Sequence, residues 1–222
     1  ILDAGGTVRK DRVRLGKRKP NPGGFKLLRK EAHWTAAFLG VDIFARAQRV
    51  DSGPTADDEA FHEIYKLSGV AYVALASPHL TNATVERLTT LPLLSTLALN
   101  GVKFNPELLA RLSEQCPDLD SFFFTQENTT ADYLRHLPAR RAIQNLILNG
   151  KACNDESVRQ LGTVGPIKTL VIADASITDQ GLEHLASQPS LQALFLNDLS
   201  AGANGLSMLG EMPELQMLDL RN

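Results

Sequence analysis

The sequence predicts an α/β solenoid: a parallel sheet whose short strands alternate with helices stacked along one side. Three observations predict it. An apolar-x-x-apolar-x-apolar triplet recurs seven times, at Val70/Val73/Leu75, Leu94/Leu97/Leu99, Leu119/Phe122/Phe124, Ile143/Leu146/Leu148, Ile167/Leu170/Ile172, Leu191/Leu194/Leu196 and Leu215/Leu218/Leu220. Its successive offsets are 24, 25, 24, 24, 24 and 24 residues, a fixed period of the kind that repeat architectures write into a chain. The residues between triplets hold the same register, so the whole unit repeats and not the triplet alone.

Within each unit the order is strand, turn, helix and return loop. Ten residues after the first apolar position come Phe104, Thr129, Cys153, Ile177 and Ala201. A helix-start signal follows: Asn105-Pro106-Glu107, Thr130-Ala131-Asp132, Asn154-Asp155-Glu156 and Thr178-Asp179-Gln180. Ser, Thr and Asn at an N-cap accept bonds from orphan N–H groups, and acidic residues suit the positive end of the helix dipole. Asp179 is expected to take such a capping role, as is Asp155 one unit earlier.

The helices show apolar pairs three apart, at Val85/Leu88, Leu109/Leu112, Leu134/Leu137, Val158/Leu161, Leu182/Leu185 and Leu206/Leu209. Pro92, Pro117, Pro138, Gly162, Pro189 and Gly210 punctuate their ends. A weaker first unit is readable at Ala47/Val50, followed by TADDEAFHEI (Thr55–Ile64). One unit cannot bury its apolar face alone, whereas stacked units bury a continuous core.

This pattern resembles the leucine-rich repeat, from about Ala47 to Asn222. The ITDQGLEHL form (Ile177–Leu185) is similar to the 24-residue repeats of many bacterial leucine-rich-repeat proteins and to those of F-box-type proteins. The resemblance implies an α/β leucine-rich-repeat solenoid, with a parallel concave sheet, helices on the convex side and an N-terminal cap. One departure stands out. The common repeat places Asn three residues after the last strand leucine, where this chain has Val102, Glu127, Lys151, Ala175 and Leu199. The turns are therefore expected to meet their hydrogen bonds by other means.

Residues 1–46 stay outside the register and are predicted to form a basic capping segment, leaving 47–222 as the repeat domain. Thr7–Leu15 alternates in part as an exposed strand does, Gly16–Gly24 reads as a turn, and Phe25–Gly40 reads as an amphipathic helix burying Leu28, Trp34 and Phe38. GGTV and Phe38–Asp51 resemble the region before the repeats in some bacterial members, where such segments often follow a membrane anchor. That implies membrane proximity through a segment upstream of this chain. The chain opens at Ile1 rather than Met, as a fragment would. It stops at LQMLDLRN, so either further repeats follow or Leu215–Leu220 forms a terminal edge strand.

Charge is unevenly spread. Residues 1–30 carry ten Lys/Arg against Asp3 and Asp11, while the other 192 hold 13 basic and 23 acidic groups. The head is read as a solvated cap or juxtamembrane stretch. Contact with an anionic membrane surface or nucleic acid is the alternative, in an envelope- or membrane-associated scaffold. Only Phe25 offers a ring for base stacking among those thirty residues, so nucleic acid is not the expected partner. No run approaches 18 apolar residues, and the localisation expected is that of a soluble domain.

No catalytic set assembles in the sequence. ITDQGLEHL holds an Asp, a Glu and a His, but Glu183 and His184 flank core leucines and are expected to face water. The matching positions in earlier units are Arg159/Gln160 and Arg135/His136. His33, His62, His79 and His136 have no neighbours at metal-ligand spacing. Cys116 and Cys153 fit no zinc or redox motif, and Cys153 falls in a core column. Neither an enzyme nor a cofactor is expected.

Binding is expected on the concave face, where residues between the buried leucines point outward. The central column reads Ala74, Ala98, Phe123, Ile147, Val171, Phe195 and Asp219. One flank runs Tyr72, Thr96, Ser121, Asn145, Thr169, Ala193 and Met217, and the other Ala76, Asn100, Thr125, Asn149, Ala173, Asn197 and Arg221. An exposed apolar line of Phe123, Ile147, Val171 and Phe195, edged by Asn and Thr, is the predicted surface for a protein or peptide ligand. Its named site residues are Tyr72, Asn100, Phe123, Asn145, Ile147, Asn149, Val171, Phe195 and Asn197.

Overall fold

Alternating apolar residues on seven evenly spaced segments leave each strand with one face to bury, and parallel stacking buries them all together. The computed structural model describes residues 6–9, 48–62, 64, 69–197 and 201–221. The turn expected at 16–24 and the helix expected at 25–40 lie outside the described residues.

Among the described residues nine strands form one sheet in strict chain order: β1 (Gly6–Arg9), β2 (Gln48–Ser52), β3 (Val70–Leu75), β4 (Thr96–Asn100), β5 (Ser121–Thr125), β6 (Ile143–Asn149), β7 (Ile167–Ala173), β8 (Ala193–Asn197) and β9 (Met217–Arg221). β1 runs antiparallel to β2, and every later pair is parallel. The pairing follows the sequence period without slippage from β3 onward. Leu97 lies opposite Phe122, Phe122 opposite Leu146, Leu146 opposite Leu170 and Leu170 opposite Leu194. A slip of one residue would turn each strand's apolar set outward, so burial of one face locks this register. The architecture is a leucine-rich-repeat-like α/β solenoid.

Among the described residues six short α-helices return the chain between strands: α1 (Asn82–Leu88), α2 (Glu107–Gln115), α3 (Ala131–Leu134), α4 (Asp155–Gln160), α5 (Asp179–Ala186) and α6 (Ala203–Leu209). Their apolar pairs meet the strand leucines in one continuous core. Val85, Leu88, Leu109, Leu112, Leu182 and Leu185 are fully buried beside Leu97, Phe122, Leu146 and Leu170. None of these helices has the length to be stable by itself in water, so the packed face supplies their stability. Cys116 and Cys153 sit in this core, and burial pushes their thiols up to about 11 and about 12.

Hydrogen bonds of constant span tie unit to unit on the helix side. Asp58 accepts from the Thr81 N–H (2.9 Å), the Thr81 hydroxyl (2.6 Å) and the Thr84 hydroxyl (2.5 Å). Asn82 accepts from the Asn105 N–H at 2.8 Å. Asp155 accepts from the Thr178 N–H (2.9 Å) and hydroxyl (2.7 Å), and Asp179 from the Gly202 N–H (2.5 Å). This corrects the capping role expected of Asp179 and Asp155. Their own helices are capped by the residues before them, Thr178 bonding the Gln180 N–H and Asn154 the Ser157 N–H. The carboxylates instead clasp the helix entry of the following unit. A sequence window of one helix cannot show this, because the partner lies 23 residues away.

The clasp explains the glycine of ITDQGLEHL. A Cβ on Gly181 would press into Asp155 Oδ1 and lie 2.6 Å from Ile177 Cγ2. One on Gly205 would lie 2.8 Å from Asp179 Oδ1 and 2.9 Å from Asp179 Cα. Each Gly leaves the space that the preceding unit's carboxylate fills. Where the acceptor position holds Pro106 or Ala131, the clasp is missing.

Two further turns differ from expectation. Thr130 opens α3 without a side-chain cap bond; its hydroxyl donates to the Glu127 carbonyl, which a preceding 3-10 turn (Gln126–Thr129) presents. The missing asparagine ladder is met at one place by Asn128, one position late. Fully buried, it accepts from the Val102 N–H (3.0 Å) and donates to the Val102 carbonyl (2.9 Å).

Two outcomes test the clasp. Gly181→Ala is expected to lower stability by about 1–3 kcal/mol, the range for overpacking. Gly162→Ala, where an added Cβ meets nothing within 4 Å, is expected to be near neutral; urea unfolding of the two variants checks the contrast. The second concerns pH. Burial raises the Asp58 carboxyl, but the bonds from Thr81 and Thr84 and the charge of Arg87 bring it below its ordinary 3.8. Its folded pKa is thus depressed, so its stabilisation is present above about 4 and is lost as pH falls through the folded value. The urea midpoint is expected to fall as pH drops below about 4, and to fall less in Asp58→Asn.

Candidate binding surface

The helices cover one face of the sheet, and the strand residues between the core leucines point to the other, which a leucine-rich-repeat solenoid makes concave. The register sets these residues in straight columns across the strands. Ala98 lies beside Phe123, Phe123 beside Ile147, Ile147 beside Val171 and Val171 beside Phe195. The central column is therefore where the sequence places it.

Its exposure is not. Phe123 is 8% exposed, Ile147 2%, Val171 0% and Phe195 4%. They form a second apolar cluster, separate from the main core, with Ala98 and Ala193 packed against it. Alternation along a strand fixes the direction of a side chain, but burial depends on what lies beside it. Parallel pairing brings like positions to about 4.8 Å across the sheet, so four large apolar side chains in one column pack on one another. The predicted exposed line is a buried one.

Tyr72 is also buried, at 5% exposure. Its ring stands edge-on to Phe123, with centroids 6.3 Å apart, and the Arg49 guanidinium lies 4.1 Å from its centre. Arg49 in turn donates through Nε to both Asp51 oxygens at 2.7 and 2.9 Å. Burial pushes the Tyr72 hydroxyl up to about 12. Sequence reasoning missed Arg49 and Asp51. Their spacing of two on β2 puts both on one face, and that alternation was the signal available.

The polar flanks remain half-buried. On one side Thr96, Asn145 and Thr169 line up, with Asn145 Nδ2 donating to Ser121 Oγ at 3.1 Å. On the other, Asn100, Thr125, Asn149 and Asn197 are half-buried, and Ala173 is buried between the last two. The Thr125 hydroxyl donates to Asn100 Oδ1 at 2.7 Å. Asn197 Oδ1 is a buried acceptor without a hydrogen-bond partner among the described residues. The sequence-predicted residues thus divide: Tyr72, Phe123, Ile147, Val171 and Phe195 form an apolar floor, while Asn100, Asn145, Asn149 and Asn197 form its rims.

The Asp, Glu and His of ITDQGLEHL do not converge. Glu183 is exposed on α5, His184 is half-buried there, and Asp179 is engaged with Gly202. Among the described residues, no group of three or more His, Cys, Asp or Glu side chains is placed to hold a metal ion. An open depression of about 470 Å³ lies at the loops entering β4 to β6, with Leu93, Asp118, Asp120 and Arg141 on its walls. Arg141 is committed there to the carbonyls of Ser113, Cys116 and Pro117 at the end of α2.

No family model matches the chain, and no curated protein matches it. Among solved structures it is similar to the crystal structure of a TLR13–ssRNA13 complex. The TM-score is 0.42 and the identity 19%, over 77% of this chain and 27% of that one. The chain spans about a quarter of that neighbour's length, and the fold assignment rests on the strand order and register described above.

Proposed function

We propose that the chain is a non-catalytic binding module for a protein or peptide ligand, with the concave face, opposite the described helices, as its recognition surface. One observation carries this reading. Uncharged amide and hydroxyl side chains stand in register on both rims of that face, beside an apolar floor. Such rims offer donors and acceptors at fixed spacing on a rigid sheet, which is what polar interface contacts need. The acidic balance of residues 31–222, with 13 basic against 23 acidic groups, disfavours a polyanion such as nucleic acid.

The basic head, which would serve an anionic surface, lies largely outside the described residues. No helix of the described residues is long and apolar enough to cross a membrane. The reading therefore rests on the rims.

Asn145→Arg with Asn100→Arg sets bulky cations on both rims. Capture of partner protein from native lysate is expected to drop at least about ten-fold against the unaltered chain, with circular dichroism unchanged. Lys103→Glu, placed on an exposed residue after β4, is the control and is expected to capture normally. Equal capture by all three forms contradicts a concave-face site.

A further inference from the structure

At four junctions the clasp acceptor lies 23 residues before the N–H that opens the next helix, at Asp58, Asn82, Asp155 and Asp179. Ala131 holds the same position before α4, and Pro106 holds it before α3, where one extra residue intervenes. A methyl group and a proline ring accept no hydrogen bond, so both junctions lack the clasp.

The two are not equivalent. Between residues 94–118 and 119–142 other side chains cross. Asn128 bonds both backbone groups of Val102, and Tyr133 on α3 donates to the Phe104 carbonyl at 3.1 Å. Arg141 reaches the carbonyls of Ser113, Cys116 and Pro117 at the end of α2. Between residues 119–142 and 143–166 the side-chain bond is that of Asn145 Nδ2 to Ser121 Oγ, on the opposite face of the sheet. Among the described residues no side-chain bond joins α3 to α4. Their charged groups pair within each helix, Arg135 with Asp132 and Arg159 with Glu156.

The sheet side of this junction is firm. β5 and β6 stay in register from Ser121–Asn145 to Thr125–Asn149. A Cβ on Gly150 would lie 2.9 Å from Gln126 N, and one on Gly165 would press on the Arg141 carbonyl oxygen. Backbone bonds of 2.8 Å run from the Gln144 N–H to the Asp120 carbonyl and from the Gly165 N–H to the Pro138 carbonyl. The helix side is joined by the apolar core, in which Leu134, Leu137, Val158 and Leu161 are buried. Apolar burial is non-directional, so it resists separation without fixing an angle. With α3 a single turn of four residues, little helix surface is left to fix one by packing.

We propose that the solenoid bends at this junction. The blocks from β2 to α3 and from β6 to β9 move about the β5–β6 ladder, with α3 and α4 swinging apart and together on the helix side. A repeat stack is a chain of nearest-neighbour interfaces, and the interface without a directional tie opens first. The bend changes the curvature of the opposite face where Phe123 meets Ile147. It belongs to the chain by itself and holds whether or not that face takes a ligand.

The test places nitroxide labels on the full chain as cysteine pairs two helices apart. They are Glu86→Cys with Arg135→Cys, Arg135→Cys with Glu183→Cys, and Arg159→Cys with Ser207→Cys, all at exposed positions. The native thiols are buried and stay unlabelled. The 135/183 pair alone spans the α3–α4 junction. Pulsed dipolar spectroscopy is expected to give it a distance distribution at least about two-fold wider than either other pair.

Ala131→Asp supplies the missing acceptor. It stands 23 residues before Asn154 and 26 before Ser157, as Asp58 stands to Thr81 and Thr84. In that background the 135/183 distribution is expected to narrow to the width of the others, and the urea midpoint to rise. Equal widths for the three pairs without Ala131→Asp overturn the proposal. A wide distribution that Ala131→Asp leaves unchanged also overturns it, because the missing clasp is then not its cause. If Ala131→Asp fails to fold, the comparison of the three pairs decides.

Discussion

A side-chain oxygen of one unit, bonded to the N–H that opens the next unit's helix, ties successive helices at four junctions of the described stack. It sets the distance between successive helices and so complements the backbone ladder that sets the distance between strands. With both sides of the stack at fixed intervals, a strict period of about 24 residues keeps every leucine in its column. At two junctions it also leaves no room for a side chain. Gly181 and Gly205 are where they are because an oxygen of Asp155 or Asp179 stands in the space a side chain would take. Where the acceptor is lost, at Pro106 and Ala131, neighbouring units hold together through other contacts, including the double bond of Asn128 to the Val102 backbone.

A sheet built this way repeats whatever it places on its outer face. Columns of like side chains are a consequence of parallel in-register pairing, and their chemistry follows from position within the repeat. The inner positions feed the core, the middle outer position forms a second apolar cluster, and the outermost positions carry amides and hydroxyls. The clasps and the leucines are committed to stacking, whereas those outer columns vary in chemistry from unit to unit.

The architecture was legible because period, core and helix starts are local or evenly spaced signals. Leu97, Leu146 and Leu170 fall in one column by counting alone, and Thr178 announces a helix by its type. The surface was less legible. Val171 reads as exposed from alternation, yet it is fully buried, since its burial depends on Ile147 and Phe195 set beside it by register. Asp179 reads as a cap because its own helix is near in sequence, while its partner Gly202 is near only in space. Asn128 hid one position away from the expected ladder, in a repeat of ordinary length. Arg49 and Asp51 went unread as a pair because their unit is the weakest match to the pattern. In each case the missing information is a contact between units, which no single repeat contains.

Cysteine accessibility along one strand tests the arrangement of the outer face most directly. Thr169→Cys, Val171→Cys and Leu170→Cys would each be labelled with a water-soluble maleimide in the native state. The two native thiols contribute little background, being buried with raised pKa values. The expected result is rapid labelling at 169, on the half-buried rim, and slow labelling at both 170 and 171. Labelling at 171 as fast as at 169 would contradict the buried column and, with it, the division of this face into an apolar floor and polar rims.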